Sequence, residues 1–376
     1  MEYVEKQTIF FENQRYFHTV VHKLSAGKLR LQKDQRYQIM KHTHPIDFVI
    51  PWVNGSDPAW LAERAGYREE KVDAGAARFR DWGVLHYWFR SVEKFAPWVN
   101  KIHFITCGHL PDWLNTAHPK LHIVNHRNYI PEKYLPVFSS HPIELNIHRI
   151  KELAEHFVYF NDDTFILKPV KTTDFFRNGL PCDTAVLGPA NLSYPDDRIP
   201  LPENVFSIGF NDIMVINHRF NKKEVLRKHW PKFFSLKYGK TGISSLLQLP
   251  YRQIYGFYIH HLPSAFRKSM FEKVWQENPE ILDNTCQNKV RKFTDVNQWL
   301  IQYYQFCTGN FMPVSPNRGK CFDLCKESPE ALRAIVKQKY KMICCNDSAV
   351  VDFEVVSRQL HNAFDRILPE KCAFEK

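Results

Sequence analysis

The stretch HFVYFNDDTFILKPV (156–170) decides how this chain is read. Phe157–Phe160 form a short apolar run of the length of a buried strand. The run passes straight into Asn161-Asp162-Asp163, and apolar residues resume at Phe165. Two adjacent carboxylates at the mouth of an apolar strand are costly unless they are paired, hydrogen-bonded or bound to a cation. Turn chemistry offers one explanation, because Asn and Asp favour the bends and caps that follow strands. A ligand site offers the other. Open α/β sheets bind ligands outside the carboxyl ends of their strands, and adjacent Asp residues there can hold Mg²⁺, whose hard oxygen preference suits phosphate substrates. The stretch by itself leaves both open.

Working outward, IDFVIPWV (46–53) is a second short apolar run, closed by the turn signal Asn54-Gly55-Ser56-Asp57-Pro58. RFRDWGVLHYWFRSVEKFAPWV (78–99) reads as a helix: Leu85, Trp88, Phe89, Val92 and Phe95 recur at helical spacing, and Pro97 ends it. KIHFITCG (101–108) and KLHIVNH (120–126) read as strands, and IELNIHRIKELAEH (143–156) as a helix leading into the opening strand. TAVLGPA (184–190) and NDIMVINHRF (211–220) read as further strands. This alternation is the rhythm of a doubly wound, Rossmann-like α/β sheet. Residues 221–310 read as mostly helical. The tail adds a helix at 328–341, the strand KMICCND (341–347) and a helix near 352–367. The expected organisation is a peripheral N-terminal segment (1–44), a catalytic α/β domain with a helical insertion (45–312) and a C-terminal segment completing that domain (313–376).

Composition narrows the function classes. An apolar fraction of 44% and an aromatic fraction of 14% in 376 residues support a large folded core. No run of 18 apolar residues occurs, so no membrane-spanning helix is expected. The opening MEYVEKQTIFFENQRYF lacks the continuous apolar core of a secretory signal, so the protein is expected to stay in the cytoplasm. Nine scattered cysteines fit reduced thiols better than a disulfide framework. Cys321, Cys325, Cys344 and Cys345 are too loosely spaced to make zinc the favoured reading. The net charge of +11 points to an anionic partner. The basic residues are spread without a block or a nucleic-acid signature, which argues against nucleic acid.

Several polar groups are candidates for the site. Asn54, Gly55 and Asp57 occupy the turn after the first strand, where such a sheet receives a nucleotide and where Gly55 would admit close backbone approach; plain turn chemistry reads as naturally. The turn matches neither GxGxxG nor GxxxxGK[ST], which disfavours dinucleotide oxidoreductases and P-loop enzymes. Arg78, Arg80 and Asp81 cluster at the expected start of a helix, where arginine forks suit phosphate, unless they form only a solvated cap. Glu144 and His148, four apart on the expected helix, read as a surface pair, with Arg149 beside them. His260-His261-Leu262-Pro263 follows an apolar run, and a histidine there can act as base, phosphate ligand or structural hydrogen-bonder. Arg291 precedes a stretch that carries Asp295. A second apolar run ends in Asn346-Asp347, repeating the Asn161-Asp162 pattern and favouring a polar site at the sheet edge.

Together these stretches resemble the Stealth family of sugar-1-phosphate transferases. Four blocks carry the likeness: IDFVIPWVNGSDPAW (46–60); the long second block from RFRDWGVLHYWF (78–89) through HFVYFNDDTFILKPV (156–170); HHLPSAFRKSMFEKVW (260–275) extending to VRKFTDVNQWLIQYY (290–304); and MICCND (342–347). The resemblance implies a glycosyltransferase-A-like sheet, a UDP-sugar donor, a saccharide acceptor, Mg²⁺ or Mn²⁺, and transfer of the whole sugar-1-phosphate with release of UMP. It implies Asp162, Asp163, His261 and Arg291 as catalytic residues, with Asp162 and Asp163 also holding the metal. Asn54, Gly55, Asp57, Arg78, Arg80, Asp81, Arg149, Asn161, Asn346 and Asp347 are the expected substrate-binding residues. Animal members often carry His after His-x-Pro, where this chain has Ser264. The compact type implies capsule or surface polysaccharide synthesis in bacteria, with a peripheral place at the inner face of the cell membrane. The rivals are a conventional glycosyltransferase releasing UDP and a non-enzymatic polyanion-binding module.

Overall fold

The structure is a computed structural model of the chain, and it describes residues 44–67, 79–188, 205–347, 350 and 352–376. The expected peripheral segment 1–44 therefore lies outside the described residues, apart from His44, and so does Arg78. His44–Lys376, without 249–251, form one compact unit. Its strands are β1 (Ile46–Pro51), β2 (Ile102–Thr106), β3 (Leu121–Asn125), β4 (His156–Tyr159), β5 (Thr164–Ile166), β6 (Phe176–Arg177), β7 (Leu180–Asp183), β8 (Ser264–Arg267), β9 (Met312–Pro313), β10 (Gly319–Asp323) and β11 (Met342–Asn346).

The main sheet has the order β3-β2-β1-β4-β8. β3, β2, β1 and β4 are parallel and β8 runs antiparallel to β4, so the fold is α/β with a Rossmann-like centre and an antiparallel edge. β1 and β4 are buried along almost their whole length, which is why they read as continuous apolar runs rather than alternating ones. The helix Leu85–Phe95 lies between β1 and β2 in sequence and buries Trp88, Phe89 and Val92. Phe48 in β1 meets the Trp88 ring edge-on at 6.5 Å and Phe160 at 4.8 Å, joining the strands and the helix in one core. Two smaller sheets, β10-β11-β5 and β6-β7-β9, complete the unit.

Three sequence expectations fail for local reasons. Residues 211–220 are not a strand: they end the helix Val205–Arg219, in which Ile208, Asp212 and Ile216 recur every four residues and are buried. The β-branched run masked that period. The helix expected over 143–156 is only Ser140–Leu145. The Asn146 side chain turns back to donate to the Pro142 carbonyl (2.8 Å), a single 3₁₀ turn Ile147–Arg149 follows, and Ile150 is extended. The strand expected over 184–190 reduces to β7 just before it and one bridge, Leu187 to Phe257, with 189 and 190 outside the described residues. The tail follows the sequence reading more closely, with helices Leu324–Val336 and Phe353–Asp365 around β11.

Candidate active site

Strand pairing assembles the site beyond the carboxyl end of β4. The Phe160 N–H donates to the Val49 carbonyl (2.8 Å) and carries the parallel ladder one residue past β4. The chain then turns: the N–H and Oγ1 of Thr164 both donate to the Asn161 carbonyl, at 3.1 and 2.7 Å. β8 pairs antiparallel with β4 through Ser264 and Tyr159, so continuing the two chains past the ladder brings His261 to the Asn161–Asp163 turn. His261 Nε2 lies 2.6 Å from the Asn161 amide nitrogen and 3.7 Å from Asp163 Oδ1. On the other flank, β5 pairs with β11, setting Cys344 opposite Thr164. The Cys345 N–H donates to the Asp163 carbonyl (2.9 Å) and the Cys344 thiol donates to Asp163 Oδ2 (3.2 Å).

A second buried aspartate shows what a purely structural carboxylate looks like in this fold. Asp47, fully buried in β1, accepts from Asn100 Nδ2 (2.7 Å), Lys101 N–H (3.2 Å) and Ala154 N–H (2.8 Å) and pairs with His103 Nε2 (3.0 Å). Burial opposes its charge, but these partners together hold it below the usual carboxylate range. Asp163 is treated differently. Its Oδ1 is buried without a hydrogen-bond partner, since His261 Nε2 stands beyond hydrogen-bond reach. Asp162 is exposed at the surface, but the protein around it desolvates its carboxyl, and with the neighbouring Asp163 and Asp81 carboxylates this pushes it up to about 7. Oxygens gathered without a matching cation fit a hard divalent ion. Asp163, His261 and Cys344 also present one ligand atom each within 4.8 Å of one another. Burial pushes the Cys344 thiol well above its ordinary pKa, and the thiol donates to Asp163 Oδ2.

The remaining sequence candidates divide. Asp81 influences Asp162 electrostatically and caps a turn through Gly83 N–H (2.7 Å). Arg80 is committed to Asp347 by a bidentate pair (2.8–3.0 Å) and stacks on Phe353 with its guanidinium 4.2 Å from the ring centre. Both precede the helix Leu85–Phe95, so neither is at a helix N-terminus. Asp57 caps the helix Pro58–Ala65 through Trp60 N–H (2.7 Å), and the Asn54 N–H donates to His109 Nδ1 (3.2 Å). Gly55 admits a close approach, but of this chain's own backbone: a Cβ there would lie 1.8 Å from the Phe79 carbonyl oxygen. Asn346 ends β11 opposite Asp323. Arg149 is exposed, held by Asn146 Oδ1 (2.8 Å) and lying over Trp275 (4.9 Å).

Glu144 corrects the surface-pair reading. It is 5% exposed, and because the helix ends at Leu145 it diverges from His148, which stacks with Phe271. Glu144 Oε1 accepts from the Tyr159 hydroxyl (3.3 Å), and Oε2 is buried without a partner. Arg291 donates to Ser140 Oγ (3.1 Å); burial raises the pKa of Glu144, and the Arg291 charge opposes that rise without cancelling it. Tyr159 feels both Glu144 and Asp162, so this buried group adjoins the carboxylate turn from behind. Ser140 and Tyr159 escaped the sequence reading, while Glu144 was read as half of a surface pair and Cys344 only as part of a loosely spaced cysteine set. Only the placement of Tyr159 next to Phe160-Asn161 could have signalled a member of this set.

Comparison with known proteins places these residues in a family. Stealth protein conserved region 1 matches residues 44–72 and Stealth protein conserved region 2 matches residues 78–182, which include the Asn161–Asp163 turn. The capsular polysaccharide phosphotransferase WcwK of Streptococcus pneumoniae is 41% identical over 342 residues, 90% of this chain and 100% of that protein. The exopolysaccharide phosphotransferase cps2G of Lactiplantibacillus plantarum is 41% identical over 334 residues, covering 88% of this chain and 96% of that protein. The receptor polysaccharide phosphotransferase WefC of Streptococcus oralis is 38% identical over 339 residues, 88% of this chain and 99% of that protein. Identity at this level over nearly the full length of each relative is decisive: the chain belongs to the Stealth family.

Proposed function

We propose that this enzyme transfers a sugar-1-phosphate, with N-acetylhexosamine-1-phosphate the favoured group, from a UDP-sugar to a hydroxyl of a saccharide acceptor in capsule or surface polysaccharide synthesis. The observation that carries the reading is the carboxylate turn: Asp162 and Asp163 stand at the carboxyl end of β4 with an unpartnered Oδ1 and with His261 beside them. The family relatives, named as capsular polysaccharide, exopolysaccharide and receptor polysaccharide phosphotransferases, supply the reaction class.

In this reading the acceptor oxygen attacks the β-phosphorus of the donor. The new P–O bond forms as the bond to the bridging oxygen breaks, and UMP leaves with that oxygen. The acceptor proton passes to His261 Nε2 as the acceptor hydroxyl displaces the Asn161 amide that donates to this atom at 2.6 Å, and the Asp163 carboxylate 3.7 Å away stabilises the resulting imidazolium. Asp162 and Asp163 would hold Mg²⁺ or Mn²⁺, which neutralises diphosphate charge when bound. Arg291, kept charged beside Glu144, contributes positive potential from behind Tyr159. Arg80 and Asp347 fix the segment that carries Asp81 rather than gripping phosphate themselves. The cytoplasm is the matching compartment, since that is where nucleotide sugars are made available to such a chain.

Incubating the enzyme with a panel of nucleotide sugars, Mg²⁺ and an oligosaccharide acceptor, and weighing the nucleotide product, tests the reading. UMP is expected. UDP would establish a conventional glycosyltransferase, and no turnover with any donor would leave only a polyanion-binding role.

A further inference from the structure

The stretch Lys222–Leu247 carries seven Lys or Arg residues against a single acid, Glu224. It folds as the helix Lys222–Phe233, a 3₁₀ stretch Leu236–Gly242 and the short helix Ile243–Leu247. One side is anchored. Val225, Leu226, Phe233 and Tyr238 are buried, Lys232 Nζ donates to the Gly309 and Phe311 carbonyls (2.6 and 2.8 Å), and the Leu187 N–H donates to Ser245 Oγ (2.9 Å).

The other side is left to solvent. Leu236 is 90% exposed, Leu247 67% and Ile243 54%. Exposed Lys240 stands between them in sequence, as does Lys237, whose Nζ also donates to the Pro313 carbonyl (3.1 Å), and Lys223, Arg227 and Lys228 are exposed along the preceding helix. Singly exposed apolar residues are ordinary on protein surfaces. Three within twelve residues, interleaved with lysines, are the composition of an element that lies in a membrane interface. Charge chooses the occupant. A second copy meeting this face about a two-fold axis would set lysines against lysines. Residues 1–43 are themselves basic, with eight Lys or Arg against four Asp or Glu. A bilayer with anionic headgroups complements the cations and takes up the leucines.

We propose that Lys222–Leu247 is the face by which the enzyme docks on an anionic lipid bilayer, with Leu236, Ile243 and Leu247 entering the interface and the exposed Lys and Arg residues meeting headgroups. The proposal stands independently of the transfer chemistry. It is tested by flotation of the full chain with vesicles of phosphatidylcholine alone or with about 30% phosphatidylglycerol. Two variants are compared, Lys223→Glu/Lys240→Glu and Leu236→Ser/Ile243→Ser/Leu247→Ser, each checked for unchanged melting, with the mass in solution measured for both. Binding is expected only to the anionic vesicles, weakened by salt, and reduced by about tenfold or more in each variant. Equal binding to both vesicle types, or none to either, would overturn the proposal. Undiminished vesicle binding in both variants would overturn it too, by moving the contact to another surface. A serine variant that halves the solution mass while keeping vesicle affinity would assign the face to a second copy.

Discussion

Replacing Gly55 by alanine tests whether the segment crossing the first turn positions the site. The added Cβ would stand 1.8 Å from the Phe79 carbonyl oxygen, 2.6 Å from the Phe79 Cβ and 2.7 Å from its carbonyl carbon. None of these is the tip of a flexible side chain, so backbone must give. Restoring even a tight 3.0 Å contact needs a displacement of about 1.2 Å, and shifts of that order in positioning elements cost on the order of 10²-fold in rate. Phe79 is held by the Trp60 ring at 5.1 Å and by the Arg64 guanidinium at 4.3 Å, so the strain passes along the chain to Arg80 and Asp81. The Arg80–Asp347 bonds of 2.8–3.0 Å do not survive such a shift, and Asp81 moves relative to Asp162. Overpacking of this kind destabilises by about 1–3 kcal/mol, so melting falls by several degrees while most of the protein stays folded at 25 °C. The assay is nucleotide release from the donor beside a thermal melt. Gly66→Ala is the control, since its Cβ would meet only Glu63 O at 3.3 Å. Near wild-type rate and melting in Gly55→Ala would refute the idea that the 79–81 segment is fixed against this turn.

Three further outcomes are expected. Asp163→Asn, which keeps the shape but removes the charge facing His261, lowers turnover by about 10²-fold with melting unchanged; a wild-type rate would remove Asp163 from the reaction. Chelation abolishes turnover and Mg²⁺ or Mn²⁺ restores it, whereas full activity after exhaustive chelation would mean that Asp162 and Asp163 hold no metal. Burial holds His126 and His148 neutral, lowering them to about 4 and about 3. The unfolded chain takes up those protons near pH 6.5 and the folded chain does not. Their drag on stability is therefore absent above that pH and grows as pH falls below it, by about 1.4 kcal/mol per pH unit for each histidine until its folded pKa is reached. His126→Phe/His148→Phe should flatten the fall in melting temperature between pH 6.5 and 5; an equal fall would place the sensitivity in other groups.

The parallel centre was legible because doubly buried strands have a plain signature. The runs at 46–53, 101–108, 120–126 and 157–160 became β1, β2, β3 and β4 with ends displaced by a few residues at most. The helical half was less legible. Residues 211–220 carry the β-branched Ile213, Val215 and Ile216 but are buried at helical spacing, so local propensity and tertiary packing point different ways, and packing on the helix Gln298–Cys307 wins. Within the site, Asp162, Asp163 and His261 were readable from polar residues at the ends of apolar runs. Glu144 was not, because its burial goes with a helix that stops at Leu145, where the Asn146 side chain donates back to the Pro142 carbonyl. Cys344 was named only within a loosely spaced cysteine set, since its contact with Asp163 comes from the pairing of β5 with β11.

The fate of the donor's β-phosphorus tests the central claim most directly. A UDP-sugar labelled with ³²P at the β position is incubated with enzyme, Mg²⁺ and a saccharide acceptor, and the saccharide is separated from nucleotides. Sugar-1-phosphate transfer predicts label in the saccharide, held in an alkaline-phosphatase-resistant phosphodiester, with unlabelled UMP released in equal amount. Label remaining in UDP, with unlabelled sugar joined to the acceptor, would contradict it.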